Sequence, residues 1–508
     1  MRSRVLVSRM AGFMGGKIDR SSSGCQAPID QPAPGTGAPV RFRAQLRAAL
    51  AGVELDYTRG PIMRAIWLLA IPMVLEMVME STFAVVDVFF VAGLGDAAVA
   101  AVGLTESLLT LVYALAFGLA MAGTALVARR IGEGNKDGAV RAATSALAVG
   151  LLAGAVIGVP GALYAPDLLR LMGATPAIVE VGGPYARLIL GANVVVMLIH
   201  LGNGVFRGAG DAALAMRTLL LANGLNIILD PCLILGLGPF PELGLTGAAV
   251  ASTIGRGCGV AYQVWMLRRG RGRLTLRGPA FRIELPILRE ILRLSAGTVG
   301  QFLIATSSWV VLMRIVAPFG ESVLAGYTIA IRIVIFAFLP AWGFSNAAAT
   351  LAGQNLGAGQ PDRAERSVWL TGLANMLFLA GVTALFVTFA PELVAIFTTQ
   401  PETAATAVAA LRILSYGFVL YAWAMATVQG FNGAGDTVTP TWMHFWCFWV
   451  LEIPLAWALA HGAGLGPSGV FWAVCLSESA LAVLGIVLFR RGRWRNAKVV
   501  ADVAAASG

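Results

Sequence analysis

Apolar residues run in long stretches from Pro61 almost to the C-terminus, broken at short intervals by glycine, proline and a few charges. A bilayer core takes about 20 residues of helix to cross, and runs of this length have no place on the surface of a soluble domain. Twelve such segments begin near Ile62, Ala98, Ala142, Pro184, Met216, Gly247, Ile287, Val323, Val368, Val408, Thr441 and Gly469. The pattern predicts an all-α polytopic membrane protein with twelve transmembrane helices. Ahead of them, residues 1–60 are rich in Arg, Ser, Pro and Gly and read as a disordered cytoplasmic tail or an over-extended start. Within it, Val40 to Leu55 has the make-up of a basic amphipathic helix.

The second half repeats the first at a constant offset of 225 residues. Pro61-Ile62 falls on Pro286-Ile287, Gly95 on Gly320, Gly132 and Gly134 on Gly357 and Gly359, Asp137 on Asp362 and Arg187 on Arg412; FRGAGD (206–211) falls on FNGAGD (431–436). Each copy holds six spans, an even number, so both enter the membrane in the same direction, related by an axis along its normal. The expected organisation is an N-lobe over 61–270, a linker over 271–285, a C-lobe over 286–492 and a tail over 493–508. Two facing bundles of this kind suit transport by alternating access.

Only 13% of residues are charged, against roughly 25% in soluble proteins, and mean hydropathy is +0.77. The net charge of +10 is almost all arginine, with lysine only at positions 17, 136 and 498. These arginines do not signal nucleic acid. They gather in the even-numbered connections, such as Arg129 to Arg141 and Arg268 to Arg293, while the odd-numbered ones (GLGD, PFGES, TTQPET) are nearly free of basic residues. The positive-inside rule then places both termini in the cytoplasm, at an inner membrane. Five scattered cysteines and three isolated histidines make neither a disulfide framework nor a metal site. The segment GEGNKDG is a turn and not a dinucleotide fingerprint, and no hydrolase or metalloprotease motif is present, so an enzyme and a bound cofactor are not expected.

The segments PMVLEMVMESTFAVVDVFFVAGLG, NGVFRGAGD, NIILDPCLILGLG, FAFLPAWGFSNAAATLAGQNLGAG and VQGFNGAGDT, in this order, resemble the multidrug and toxic compound extrusion (MATE) transporters, over essentially all of Pro61 to Arg490. The resemblance implies two six-helix lobes and export of cationic or amphipathic drugs, antibiotics among them, against an inward flow of H+ or Na+. It implies a small-molecule substrate and contact with membrane lipids, with the chain acting as a monomer. The alternative within the wider superfamily is a lipid-linked oligosaccharide flippase, but such flippases resemble fourteen-helix chains with a basic cavity.

Charge inside a membrane costs on the order of 3 kcal/mol per residue on insertion scales, so intramembrane acids are functional candidates. Glu76, Glu80 and Asp87 of span one lie four and seven residues apart, on one helical stripe, and Asn226 and Asp230 of span five are four apart. Under the offset they fall on Gln301, Ala305, Leu312, Leu451 and Leu455, so a duplicated scaffold does not require them. The branch of MATE transporters resembling DNA-damage-inducible-F proteins carries an Asp in helix one, a proline fifteen residues before it and an Asn-x-x-x-Asp pair in helix five; Asp87, Pro72, Asn226 and Asp230 match. That resemblance makes Asp87, Asn226, Asp230 and Thr253 the ion-coupling set, with Ser252 an adjacent competitor to Thr253, and Pro72 the site of a helix kink. Glu76, Glu80 and Asn203 are the candidate substrate ligands, and Glu106 is a further acid in span two. A carboxylate held out of water among like charges keeps its proton more tightly, which favours H+ as coupling ion. Asp87, Asn226, Asp230 and Thr253 also have the oxygens for a Na+ cage. In the second half, Arg314, Arg332, Glu452 and Glu478 read as interhelical partners, with Arg332 paired to Glu452 or Glu478. The aromatics crowding spans ten and eleven read as an interfacial belt.

Overall fold

The computed structural model describes residues 38–52, 55–270, 272–276, 282–497 and 499. The chain divides into a short N-terminal unit, residues 1–44, and one body from Gln45 onward that holds every span. Among the described residues every regular element is a helix. The N-lobe contains Ile62–Ala92, Asp96–Gly132, Lys136–Leu163, the pair Pro176–Gly191 and Asn193–Ala209, Ala212–Ile234 and Leu245–Arg269. The C-lobe contains Leu285–Val316, Glu321–Gly357, Pro361–Ala395, Pro401–Ala434, Val438–Gly462 and Pro467–Arg490. These are spans one to twelve.

Ten of them are helices long and apolar enough to cross a membrane, span nine with a kink at Phe389. Span four becomes an eleventh as two helices bent by 42° about Ala192. Span six is less apolar, because Gly247, Gly255, Gly257, Gly259, Ser252, Thr253 and Arg256 dilute it. Its burial against the lobe makes up the difference: Ala248, Ala249, Ala251 and Gly255 are covered by neighbouring helices.

The repeat read in the sequence recurs in the backbone. Gly95 and Gly320 open span two and span eight at φ 97° and 112°; Gly210 and Gly435 close span four and span ten, both at φ 89°, a conformation that costs glycine nothing. Arg187 Nε donates to the Ala162 carbonyl at 3.2 Å and Arg412 Nε to the Val387 carbonyl at 3.1 Å, the same bond displaced by the offset. Beyond the tenth span the offset shortens to 222, pairing Gly244 with Gly466 and Gly270 with Gly492.

At the arginine-rich end the lobes meet backbone to backbone. A Cβ on Gly132 of span two would sit 1.9 Å from the Gln354 carbonyl oxygen, and one on its repeat partner Gly357 of span eight 2.1 Å from that of Arg129. Thr350 Oγ1 donates to the Arg207 carbonyl at 3.0 Å and Gln354 Nε2 to the Gly208 carbonyl at 2.9 Å, closing the same seam. Outside it lies a polar crevice of about 860 Å³ lined by Arg59, Lys136, Arg273 and Gln360, among others. Gly357→Val cannot make this seam. Spin labels on Lys136→Cys and Gln360→Cys are expected to move apart in that variant, and an unchanged distance would show that the seam does not depend on the glycines.

Two segments expected as tails are ordered parts of the body. Ala38–Ala51 is helical, and from Gln45 onward the segment packs on the N-lobe: Ala49 is buried, Arg217 Nη2 donates to the Leu50 carbonyl at 2.6 Å, and buried Tyr57 donates to the Gly210 carbonyl at 3.2 Å. Arg217 of span five and Tyr57 thus hold the chain that the composition suggested was free. After span twelve, Arg493–Asn496 forms a 3-10 turn in which Trp494 is fully buried, stacked 4.4 Å from Phe489, while Arg495 pairs with Asp362 and Glu365. Residues 1–37, 498 and 500–508, and part of the expected linker, lie outside the described residues.

Candidate functional site

Span one carries the acid stripe through the N-lobe, and its helix runs unbroken from Ile62 to Ala92 with buried Pro72 inside. Proline has no N–H, so the carbonyl one turn back, on Leu68, has no intrahelical partner. Gly343 of span eight lies against this stretch, where a Cβ would come within 2.6 Å of the Met73 carbonyl oxygen. Any bend at Pro72 is therefore felt directly by the second lobe.

Glu76 is 1% exposed. Its Oε1 accepts from Arg207 Nη1 at 2.9 Å and from Asn203 Nδ2 at 3.1 Å, and Asn203 Oδ1 in turn accepts from Gln263 at 2.8 Å. The repeat explains this cluster. Gln301 and Asn432, the counterparts of Glu76 and Arg207, face each other in the C-lobe through paired amide bonds of 3.1 and 3.2 Å. Each lobe thus has a clasp between its first and fourth spans, ionic in one copy and neutral in the other. Glu76 Oε1 and the Asn203 amide, expected among the substrate ligands, are engaged in this clasp, while Glu76 Oε2 is buried without a hydrogen-bond partner.

The remaining acids gather further along span one. Glu80 is half-buried and accepts from Asn223 Nδ2 at 3.2 Å. Asp87 is 8% exposed, and the charges acting on it are those of Glu106 and Arg256. Asp230 is fully buried and feels Asp87 across the lobe. With its amide nitrogen turned toward Asp230, Asn226 donates to Asp230 Oδ2 at 2.8 Å and accepts from the Ser252 N–H and hydroxyl, each at 3.0 Å.

Thr253 does not join them. Its hydroxyl donates to the Ala249 carbonyl of its own helix at 2.7 Å, and Ser252, one residue earlier, points at Asn226 instead. Adjacent residues on a helix differ by about 100° in direction, and only the packing of span six on span five decides between them. The void beside Ser252, Thr253 and Arg256 measures about 10 Å³, room for one water at most.

Arg256 was missed in the sequence, although a lone arginine in an apolar span is itself a signal. It donates to the Tyr113 hydroxyl at 3.1 Å, lies 5.5 Å over the Phe83 ring and faces both Glu80 and Asp87. Arg332, expected beside Glu452 or Glu478, acts on Glu106 instead.

Twelve helices in two repeated lobes, sealed at one end and with Asp87 and Asp230 buried in the N-lobe, define a membrane transporter and not an enzyme. A family model described as MatE matches residues 72–232 and again 298–458, once per lobe, and the chain belongs to this family. It is 25% identical over 446 residues to the probable multidrug resistance protein YoeA of Bacillus subtilis (strain 168), covering 87% of this chain and 96% of that one. With the probable multidrug resistance protein NorM of Rhodopseudomonas palustris it shares 28% identity over 452 residues, covering 87% and 94%. A solved structure described as MATE in the straight conformation superposes with a TM-score of 0.81 at 29% identity, covering 86% of this chain and 97% of that one.

Proposed function

We propose that the chain is a multidrug exporter of the cytoplasmic membrane that expels cationic and amphipathic compounds in exchange for protons. The observation that carries this reading is the burial of Asp87 in the N-lobe, at a position where the C-lobe has Leu312, together with that of Asp230, which acts on it electrostatically. Buried acids that the duplicated scaffold does not need are best accounted for by ion exchange. The names of the relatives support drug export, and carboxylates suit cationic cargo.

In this mechanism, protonation of Asp87 and Asp230 removes the attraction between Asp87 and Arg256 and the repulsion between the two acids. Span one then rearranges about Pro72, and Gly343 passes the change to the other lobe. Asn226 and Ser252 hold Asp230 in place while it is charged. A pH gradient without sodium is expected to drive dye efflux from proteoliposomes of the purified chain. Efflux that needs a sodium gradient would assign the same oxygens to Na+.

The arginine-rich end is assigned to the cytoplasm, which makes the sealed seam the inner gate. A cysteine at Lys136 in the otherwise cysteine-free chain is expected to react with a membrane-impermeant maleimide only after the membrane is opened; labelling of intact cells would reverse the orientation.

A further inference from the structure

The C-lobe holds two acids that the reading above does not use. Glu452 of span eleven is fully buried and neither of its carboxylate oxygens has a hydrogen-bond partner; Glu478 of span twelve is 5% exposed, and its Oε2 is likewise unpartnered. The two act on each other electrostatically. Ser308 of span seven lies beside Glu452 but its hydroxyl donates to the Ala305 carbonyl at 2.9 Å. Tyr327 of span eight and Tyr421 of span ten face both glutamates, Cys447 faces Glu452, and Cys475 faces Glu478. None of these groups is a cation. His444, earlier in span eleven, is turned to the Pro440 carbonyl at 2.7 Å, and among the described residues no ion pair includes either glutamate.

Two further observations point the same way. Spans eleven and twelve repeat spans five and six, so the pair stands in the C-lobe's counterpart of the Asn226, Asp230 and Ser252 cluster; by the shortened offset Glu478 takes the position of Arg256. Span five is α-helical throughout, but its repeat in span eleven is wound as a π-helix over Phe445–Glu452, ending on the acid itself. Such winding is rare and frequently marks functional sites.

Two buried carboxylates that act on each other, with no cation among the groups around them, cannot both be charged at tolerable cost. Their proton count belongs to the pair and not to either residue. We propose that Glu452 and Glu478 form a second proton-binding site, within the C-lobe, that holds one proton between two carboxylates and exchanges it independently of Asp87 and Asp230.

The test is infrared spectroscopy of the full-length chain in proteoliposomes. A protonated carboxyl stretch is expected at neutral pH that fades as pH rises, shifts in Glu452→Gln and in Glu478→Gln, and is lost in the double variant. It is expected to persist in Asp87→Asn/Asp230→Asn, so failure of the first-lobe reading leaves it untouched. The glutamine variants are expected to melt no lower than wild type, since an amide removes charge without removing shape. Should one not insert, Glu452→Asp and Glu478→Asp, which keep the carboxyl and change its frequency, take its place. A spectrum that none of these substitutions alters, or a band removed by sodium at fixed pH, would overturn the proposal.

Discussion

Asp87→Asn and Asp230→Asn are each expected to abolish drug efflux while the protein remains expressed and inserted. Asparagine keeps the size of the side chain and some of its hydrogen bonding but cannot exchange a proton, so the lobe packs as before and the ion cycle stops. For Asp230 the substitution also leaves Asn226 facing a second amide, which can still donate and accept. Efflux from cells expressing each variant, normalised to membrane-inserted protein, is the measurement. Wild-type efflux from either variant would remove that residue from the mechanism. Ser252→Ala is the graded companion: it takes away the hydroxyl bonded to Asn226 but not the charge, and is expected to weaken efflux without stopping it.

The second large effect lies at the N-lobe clasp. Arg207→Ala leaves the Glu76 carboxylate buried without its cation, and removing one partner of a buried pair costs about 3–5 kcal/mol. Lower melting temperature and lower yield are expected. Replacing both residues by those their repeat partners use, Glu76→Gln with Arg207→Asn, is expected to restore folding and transport, because Gln301 and Asn432 already close the same junction in the C-lobe. A double variant that folds well but no longer transports would return Glu76 to the substrate path.

This clasp also shows where reading the sequence reached its limit. The offset aligned Glu76 with Gln301, and the change from acid to amide looked like freedom from structural duty. The partners change together, however: Arg207 becomes Asn432 where Glu76 becomes Gln301, and only contact across 131 residues reveals that one junction is served by two chemistries. Thr253 stands apart from Asn226 for a different reason. A one-residue choice on a helix depends on how that helix is rotated against its neighbour, and a short apolar segment with small residues all round carries no periodicity to fix the rotation.

The sequence by itself determined the membrane class, the number of spans, the duplication and the identity of the buried acids in the N-lobe. These follow from local quantities: the length of apolar runs, the cost of charge in hydrocarbon, the turn chemistry of glycine and the self-similarity of two halves. Tertiary structure alone decided which of those acids are clasped and which face only other charges. It brought Arg256 to Glu80 and Asp87, set Ser252 rather than Thr253 on Asn226, left Glu452 and Glu478 without a cation and sealed the lobes at Gly132 and Gly357. Those outcomes depend on helix rotation and on pairings between residues far apart in the chain, which hydropathy does not encode, since a membrane helix buries apolar groups equally well in lipid and in protein.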